Sequence, residues 1–270
     1  MNLTSLPLLV LVLAGQAAPQ DADKAAAAAR LDFIRDSLKV LHVQRGDDPS
    51  VTYRLQLEPV LRFTNVVGTV KDGAIFLWTG EGGRPEAAVQ VFWHNNGNWF
   101  QEFSSLSLRP IAARDVWKVG RRGLDLNPIP GAPRPADTSE QRLRQIRSLV
   151  GAFTAEEQFE RKTWQKLRLL TKPFARYGKP DSDVSDGALF AYVLTTDPEV
   201  YLVIEARPGP DGPEWQYGFA PASIDPLRVS WKNREVWSLP YREAWTDNSA
   251  PFYVHFFHRG LAKTPRAGSQ

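Results

Sequence analysis

Asp72-Gly-Ala-Ile-Phe-Leu-Trp78 has a near copy at Asp186-Gly-Ala-Leu-Phe-Ala-Tyr192, and the reading of the whole chain follows from that pair. With the sequence slid by 114 positions, Arg54, Leu55, Pro59, Arg62, Val70, Asp72, Gly73, Ala74 and Phe76 meet identical residues at Arg168, Leu169, Pro173, Arg176, Val184, Asp186, Gly187, Ala188 and Phe190. That is nine matches over the 23 positions from 54 to 76. Unrelated segments of ordinary composition match at roughly 6 to 7% of positions, or about one or two in such a stretch. The offset therefore predicts an internal duplication. After each Asp-Gly, residues 74–78 and 188–194 are apolar at successive positions, which suits strands buried on both faces.

Upstream of the first copy, an Ala-rich run from Lys24 leads into Leu31, Ile34, Leu38 and Leu41 at three- and four-residue spacing. This predicts an amphipathic helix ending near Arg45-Gly46. Asp137-Thr-Ser-Glu140 supplies capping residues for a second helix through Leu143, Ile146, Leu149, Val150 and Phe153. Proline-bearing strands follow in each half, around Pro59 and Pro173. His94-Asn-Asn-Gly-Asn98 carries the Asn-Gly pair of a tight hairpin, and Pro208-Gly-Pro-Asp-Gly-Pro213 forms the wider turn of the second half. Trp99, Gln101 and Phe103 match Trp215, Tyr217 and Phe219, and Arg114-Asp-Val-Trp117 matches Arg234-Glu-Val-Trp237. The short connections favour antiparallel neighbours. The expected fold is α+β, with copies at residues 19–127 and 138–260. Each is read as a helix packed on an antiparallel β-meander, cystatin-like in outline. A Pro-rich linker, 128–137, joins them, and residues 261–270 form a polar, flexible tail.

Residues 1–18 read as a signal peptide: an apolar run from Leu6 to Leu13, then the small residues Ala14, Gly15, Ala17 and Ala18 before Pro19, with cleavage expected close to Ala17 or Ala18. The run is much shorter than the roughly 20 residues of a membrane span. Export to the periplasm or the outside is expected, with no transmembrane span after cleavage. The absence of cysteine excludes disulfides, thiolate metal sites and a cysteine nucleophile. Lys plus Arg number 33 against 30 Asp plus Glu, a mixed balance without the basic stripe that a nucleic-acid partner needs.

The Asp-Gly-Ala-Ile-Phe stretch, Arg84-Pro-Glu-Ala, Leu167-Arg-Leu-Leu170, Pro173-Phe-Ala-Arg-Tyr177 and Asp197-Pro-Glu199 resemble a family of uncharacterised secreted proteins common in planctomycete-type bacteria. The resemblance spans most of the mature chain. It implies export and carries no activity, site or cofactor.

No nucleophile elbow, zinc-peptidase helix or phosphate loop is present, and no catalytic residue, metal or cofactor is assigned. His255 and His258 sit three apart on an expected strand, so their rings point to opposite faces. Glu86, Asp115, Glu205 and Glu235 could act as acid and base only if the fold brings two of them into one cleft. Polar residues present in both copies, such as Arg62/Arg176, Asp72/Asp186, Glu86/Glu199 and Arg114/Arg234, are assigned to the fold, with Asp72 and Asp186 as turn residues. Function is sought where the copies differ, or at the seam between them. The nine Trp and 14 Phe suggest an exported, non-catalytic protein that binds a protein or an envelope or extracellular glycan through Trp93, His94, Trp99 and Trp215. The alternative is an exported hydrolase with a carboxylate pair in the groove between the two repeats.

Overall fold

A computed structural model describes residues 19–180 and 182–257; the expected signal peptide, His258 and the tail lie outside the described residues. In chain order, the first half contains α1 (Pro19–Lys39), β1 (Val43–Arg45), β2 (Arg54–Leu55), β3 (Leu61–Asn65), β4 (Val70–Thr79), β5 (Pro85–His94), β6 (Trp99–Ser105), β7 (Ile111–Ala113) and β8 (Trp117–Val119). After β9 (Asn127–Pro128) come α2 (Ser139–Val150), β10 (Phe153–Glu157), β11 (Gln165–Lys166), β12 (Arg168–Leu169), β13 (Ala175–Tyr177), β14 (Asp186–Leu194) and β15 (Asp197–Gly209). The chain then continues with β16 (Gly212–Pro221), β17 (Leu227–Trp231), β18 (Arg234–Leu239) and β19 (Phe252–Phe257).

These strands form four antiparallel sheets. Two are large, β19-β6-β5-β4 with β2 and β3 on the far edge of β4, and β9-β16-β15-β14 with β12 and β13 on the far edge of β14. Two are small, β1-β7-β8 and β11-β10-β17-β18. Residues 114 apart hold the same register: Arg62 and Phe63 pair with Ala74 and Gly73, and Arg176 and Tyr177 with Ala188 and Gly187.

The two faces of each central strand are buried by different partners. Ala74, Phe76 and Trp78 of β4 pack with Trp99, Phe103, Trp117, Ile34 and Leu38, between the large sheet, the small sheet and α1. Ala188, Phe190 and Tyr192 of β14 pack in the same way with Trp215, Phe219, Val229 and Ile146. Leu77 and Ala88 point the other way and meet Leu189, Ala191, Tyr201 and Val203, so the large sheets stack face to face along a seam. This double burial is why the apolar runs do not alternate. At the edges the halves exchange strands: β9 pairs with β16, and β19 returns to β6. The start of the expected irregular linker is thus a short edge pairing, where Pro128 is tolerated.

The α+β class is therefore corrected. Strand accounts for 45% of the described residues and helix for 15%. The unit is not a helix on one cystatin-like meander, because the segments expected to close the meander leave it. Residues 111–119 and 227–239 pair instead with the strand that follows each helix, making a second sheet. Among the described residues each helix buries only a narrow stripe, Ile34 and Leu38 in α1 and Ile146, Leu149 and Val150 in α2. Such a stripe is too small to cover the face of a six-stranded sheet, so the small sheet does it. The first helix also ends earlier than expected, since Val43–Arg45 is strand β1. No helix among the described residues is long and apolar enough to cross a membrane.

Asp72 and Asp186, expected at turns, lie buried inside β4 and β14. Arg30 of α1 and Arg62 of β3 hold Asp72, while Arg142 of α2 and Arg176 of β13 hold Asp186 at 2.9 and 2.7 Å. These ion pairs tie each helix to its sheet. The glycines beside them serve close approach rather than turning: a Cβ at Gly73 would stand 2.6 Å from the Phe63 ring, and one at Gly187 2.6 Å from the Tyr177 ring. Gly187→Ala should therefore lower stability by about 1–3 kcal/mol through overpacking. Urea denaturation measures it, and an unchanged midpoint would mean that the ring has room to move.

Candidate functional site at the seam

β5 and β15 run past each other in opposite directions across the seam, so the start of each lies near the end of the other. Gln90 Nε2 of β5 donates to the carbonyls of Pro198 and Ala222 at 3.0 and 2.9 Å, and Arg84 reaches Glu205 from the far end. A cavity opens at each end.

The cavity near the start of β5, about 570 Å³, is lined by Tyr53, Arg84, Glu86, Tyr177 and Arg207. Beneath it Glu205, fully buried, accepts from Arg84 Nε, Tyr177 Oη and Arg207 Nη1, each at 2.8 Å. Arg84 also pairs with Glu86 at 3.2 Å. Of the four carboxylates singled out from the sequence, the fold thus brings Glu86 and Glu205 together, but on shared arginine. Asp115 and Glu235 lie exposed elsewhere.

The cavity near the start of β15, about 510 Å³, has a different chemistry. Its floor carries Glu102 of β6, Glu157 of β10, and Asp197 and Glu199 of β15. Among the described residues none of the four has a cation within ion-pair distance. Their neutral donors are few. Ser223 Oγ donates to Glu157 Oε1 at 2.6 Å, Asn65 Nδ2 to Asp197 Oδ2 at 3.2 Å, and Gln90 Nε2 to Glu102 Oε2 at 3.3 Å. Glu157 Oε2 has no hydrogen-bond partner, and the Glu157 and Glu199 carboxyls interact closely enough to share a proton.

Taking four acids out of water without counter-charge favours their neutral forms. Burial pushes the Glu157 carboxyl up to about 7 against the Ser223 hydrogen bond, and pushes Asp197 to about 7 against the Asn65 hydrogen bond. Burial, reinforced by the neighbouring carboxylates, holds Glu102 and Glu199 well above the usual carboxylate range. Glu157 and Glu199 are buried, while Glu102 and Asp197 are half-buried residues on the cavity lining. Near neutral pH the floor therefore offers protonated and ionised carboxyls side by side, the requirement for concerted acid–base work.

The mouth is apolar. Trp245 and Phe256 are 40% and 48% exposed, Phe100 packs edge-on against Phe256 at 5.0 Å, and Arg161 lies 4.7 Å over the Tyr241 ring.

The residues expected to bind a partner are scattered. Trp99 and Trp215 are 3% and 1% exposed and belong to the two cores, so they are corrected from binding surface to packing. Trp93 is half-buried, with Lys71 4.8 Å over its ring. Only His94 reaches the acidic cavity, on its wall, where its Nε2 meets Thr69 Oγ1.

Glu102, Glu157, Asp197 and Glu199 were not among the residues singled out for chemistry. One signal for them was present. Pro85 pairs opposite Thr79 and Pro198 opposite Val193, so the two X-Pro-Glu segments are equivalent. The first reads Arg84-Pro-Glu86 and neutralises itself, whereas the second reads Asp197-Pro-Glu199 and doubles its negative charge. Comparison with protein-family models, with curated proteins and with solved structures found no match.

Proposed function

We propose that this chain is an exported hydrolase of glycans, acting in the acidic seam cavity with Asp197 as general base and Glu102 as general acid. The observation that carries this reading is a contrast within one molecule. Asp72, Asp186 and Glu205, buried for structural reasons, each have two arginines, whereas four carboxyls around a cavity have none. Unneutralised buried acids destabilise a fold, and such a cost is most readily retained where chemistry uses the displaced protons.

Asp197 is suited to take a proton from water, lining the cavity, titrating at about 7 and steadied by Asn65. Glu102, held well above the usual carboxylate range by burial and by the neighbouring Asp197 and Glu157 carboxylates, is suited to protonate the departing oxygen. A sugar fits the surroundings, with its C–H faces against Phe100, Phe256 and Trp245 and its hydroxyls toward the acidic floor. Export rests on residues 1–18 of the sequence.

A panel of aryl glycosides and polysaccharides tests this. Turnover should rise through pH 7 as Asp197 ionises and fall when Glu102 loses its proton. Asp197→Asn and Glu102→Gln should each lower kcat/KM by about 10²–10⁴-fold. No turnover across the panel, or full activity in both variants, overturns the reading; glycan binding without turnover leaves a non-catalytic glycan-binding protein.

A further inference from the structure

The charges around the acidic cavity do not balance. Glu102, Glu157, Glu160, Asp197, Glu199 and Asp225 line it against a single arginine, Arg161, which is laid over the Tyr241 ring. Two of the six acids are accounted for: Glu160 is paired with Lys162, and Asp225 accepts from the Glu160 amide at 2.8 Å. His94 and Tyr241 are the remaining titratable groups on the walls. The other four line it without a counter-ion, and Glu157, fully buried, has an oxygen without a donor.

We propose that the ligand of this cavity carries a protonated amine, seated above Asp197 and Glu102, so that the substrate class is an amine-bearing sugar rather than a neutral one. The inference rests on the reading that the seam cavity is where the ligand binds. At Asp72, Asp186 and Glu205 the protein supplies guanidinium groups of its own, and here the position of the counter-charge is left to the occupant. Among the described residues no three acidic or histidine side chains converge to hold a metal ion. A diffuse organic ammonium meets that geometry better than a divalent cation, which needs several oxygens at one short distance. The rings of Tyr241, Trp245 and Phe256 add a second source of cation recognition through their faces. Entry of the ammonium favours ionised carboxyls, so binding should expel protons from the floor.

Calorimetry on the purified chain at pH 7 tests this with a glucosamine oligosaccharide bearing free amines and its N-acetylated form, each in two buffers of different ionisation enthalpy. The free-amine form should bind at least about tenfold tighter, the worth of roughly 1.4 kcal/mol. Its measured enthalpy should change between buffers as protons are released, and Asp197→Asn should weaken it by about tenfold or more. Equal or tighter binding of the acetylated form, no proton release, or an undiminished affinity in Asp197→Asn overturns the inference. Tight binding of the amine without turnover leaves the inference standing and removes hydrolysis. Turnover of neutral glycans without any preference for amines does the reverse.

Discussion

Replacing Arg84 with Met should destabilise the protein by about 3–5 kcal/mol, among the largest effects of any single substitution outside the cores. Arg84 is buried at the seam, where its Nε reaches Glu205 at 2.8 Å and its Nη1 reaches the Leu106 carbonyl at 3.0 Å and Glu86 at 3.2 Å. The Met side chain keeps most of the apolar stem, so the loss isolates the charge. Glu205, with no exposed surface, would keep only Arg207 and Tyr177, and Glu86 would lose its cation. A charge left partly unpaired inside a protein costs more than the intact pair contributed. The thermal midpoint should fall by roughly 10 °C on that basis. The double variant Arg84→Met with Glu205→Gln should recover part of the loss, because the stranded charge is gone. A single-variant loss under about 1 kcal/mol, or a double variant that is merely additive, would mean that water enters the seam and screens the pair.

Stability should fall as pH rises from about 5 to 8, by on the order of 3 kcal/mol. In the unfolded chain the seam carboxyls ionise at their ordinary values near 4. In the folded chain Glu157 and Asp197 keep their protons to about 7, and Glu102 and Glu199 are likewise held well above the usual carboxylate range. Between those limits the folded state binds more protons than the unfolded one. The stabilisation is therefore complete below about pH 4 and is lost as pH climbs through 7 for Glu157 and Asp197, with Glu102 and Glu199 acting in the same sense. Asp48 and Asp247, lowered by the Ser50 and Ser249 hydroxyls, work in the opposite sense but are exposed and act only in strong acid. Urea midpoints at half-unit intervals would trace the slope. Glu199→Gln should raise stability at pH 8 by about 2 kcal/mol, leave it nearly unchanged at pH 5, and reduce any turnover, as expected where function retains a destabilising group. A flat profile between pH 5 and 8 would show that the floor is solvated and its acids ordinary.

How much of this was readable from the residues differs from element to element. The Asp-Gly copies marked two strands buried on both faces, and β4 and β14 are such strands, because unbroken apolarity is a local record of two-sided burial. The hairpin at residues 94–98 was equally local: Asn-Gly supplies the backbone freedom, and Gly97 adopts φ +80° between β5 and β6. The fold class was not local. Whether residues 111–119 and 227–239 extend the large sheet or leave it depends on which face needs cover, and strand propensity is the same in either case. The role of Gly187 was hidden for a similar reason, since its neighbour Tyr177 becomes a neighbour only through pairing.

The candidate site divides along the same line. The seam was named as the place to search, and the substitution of Asp197 for Arg84 at equivalent positions could be read as a lost cation. The convergence of Glu102, Glu157 and Glu199 with Asp197 could not. Each is an unremarked acid on its own strand, and their shared protons arise only when sheets from both halves close over them and exclude water. Charge type and strand periodicity are properties of single residues and short runs, legible one after another. Desolvation and the absence of a counter-ion belong to the space that packed sheets enclose, and no linear spacing encodes that space.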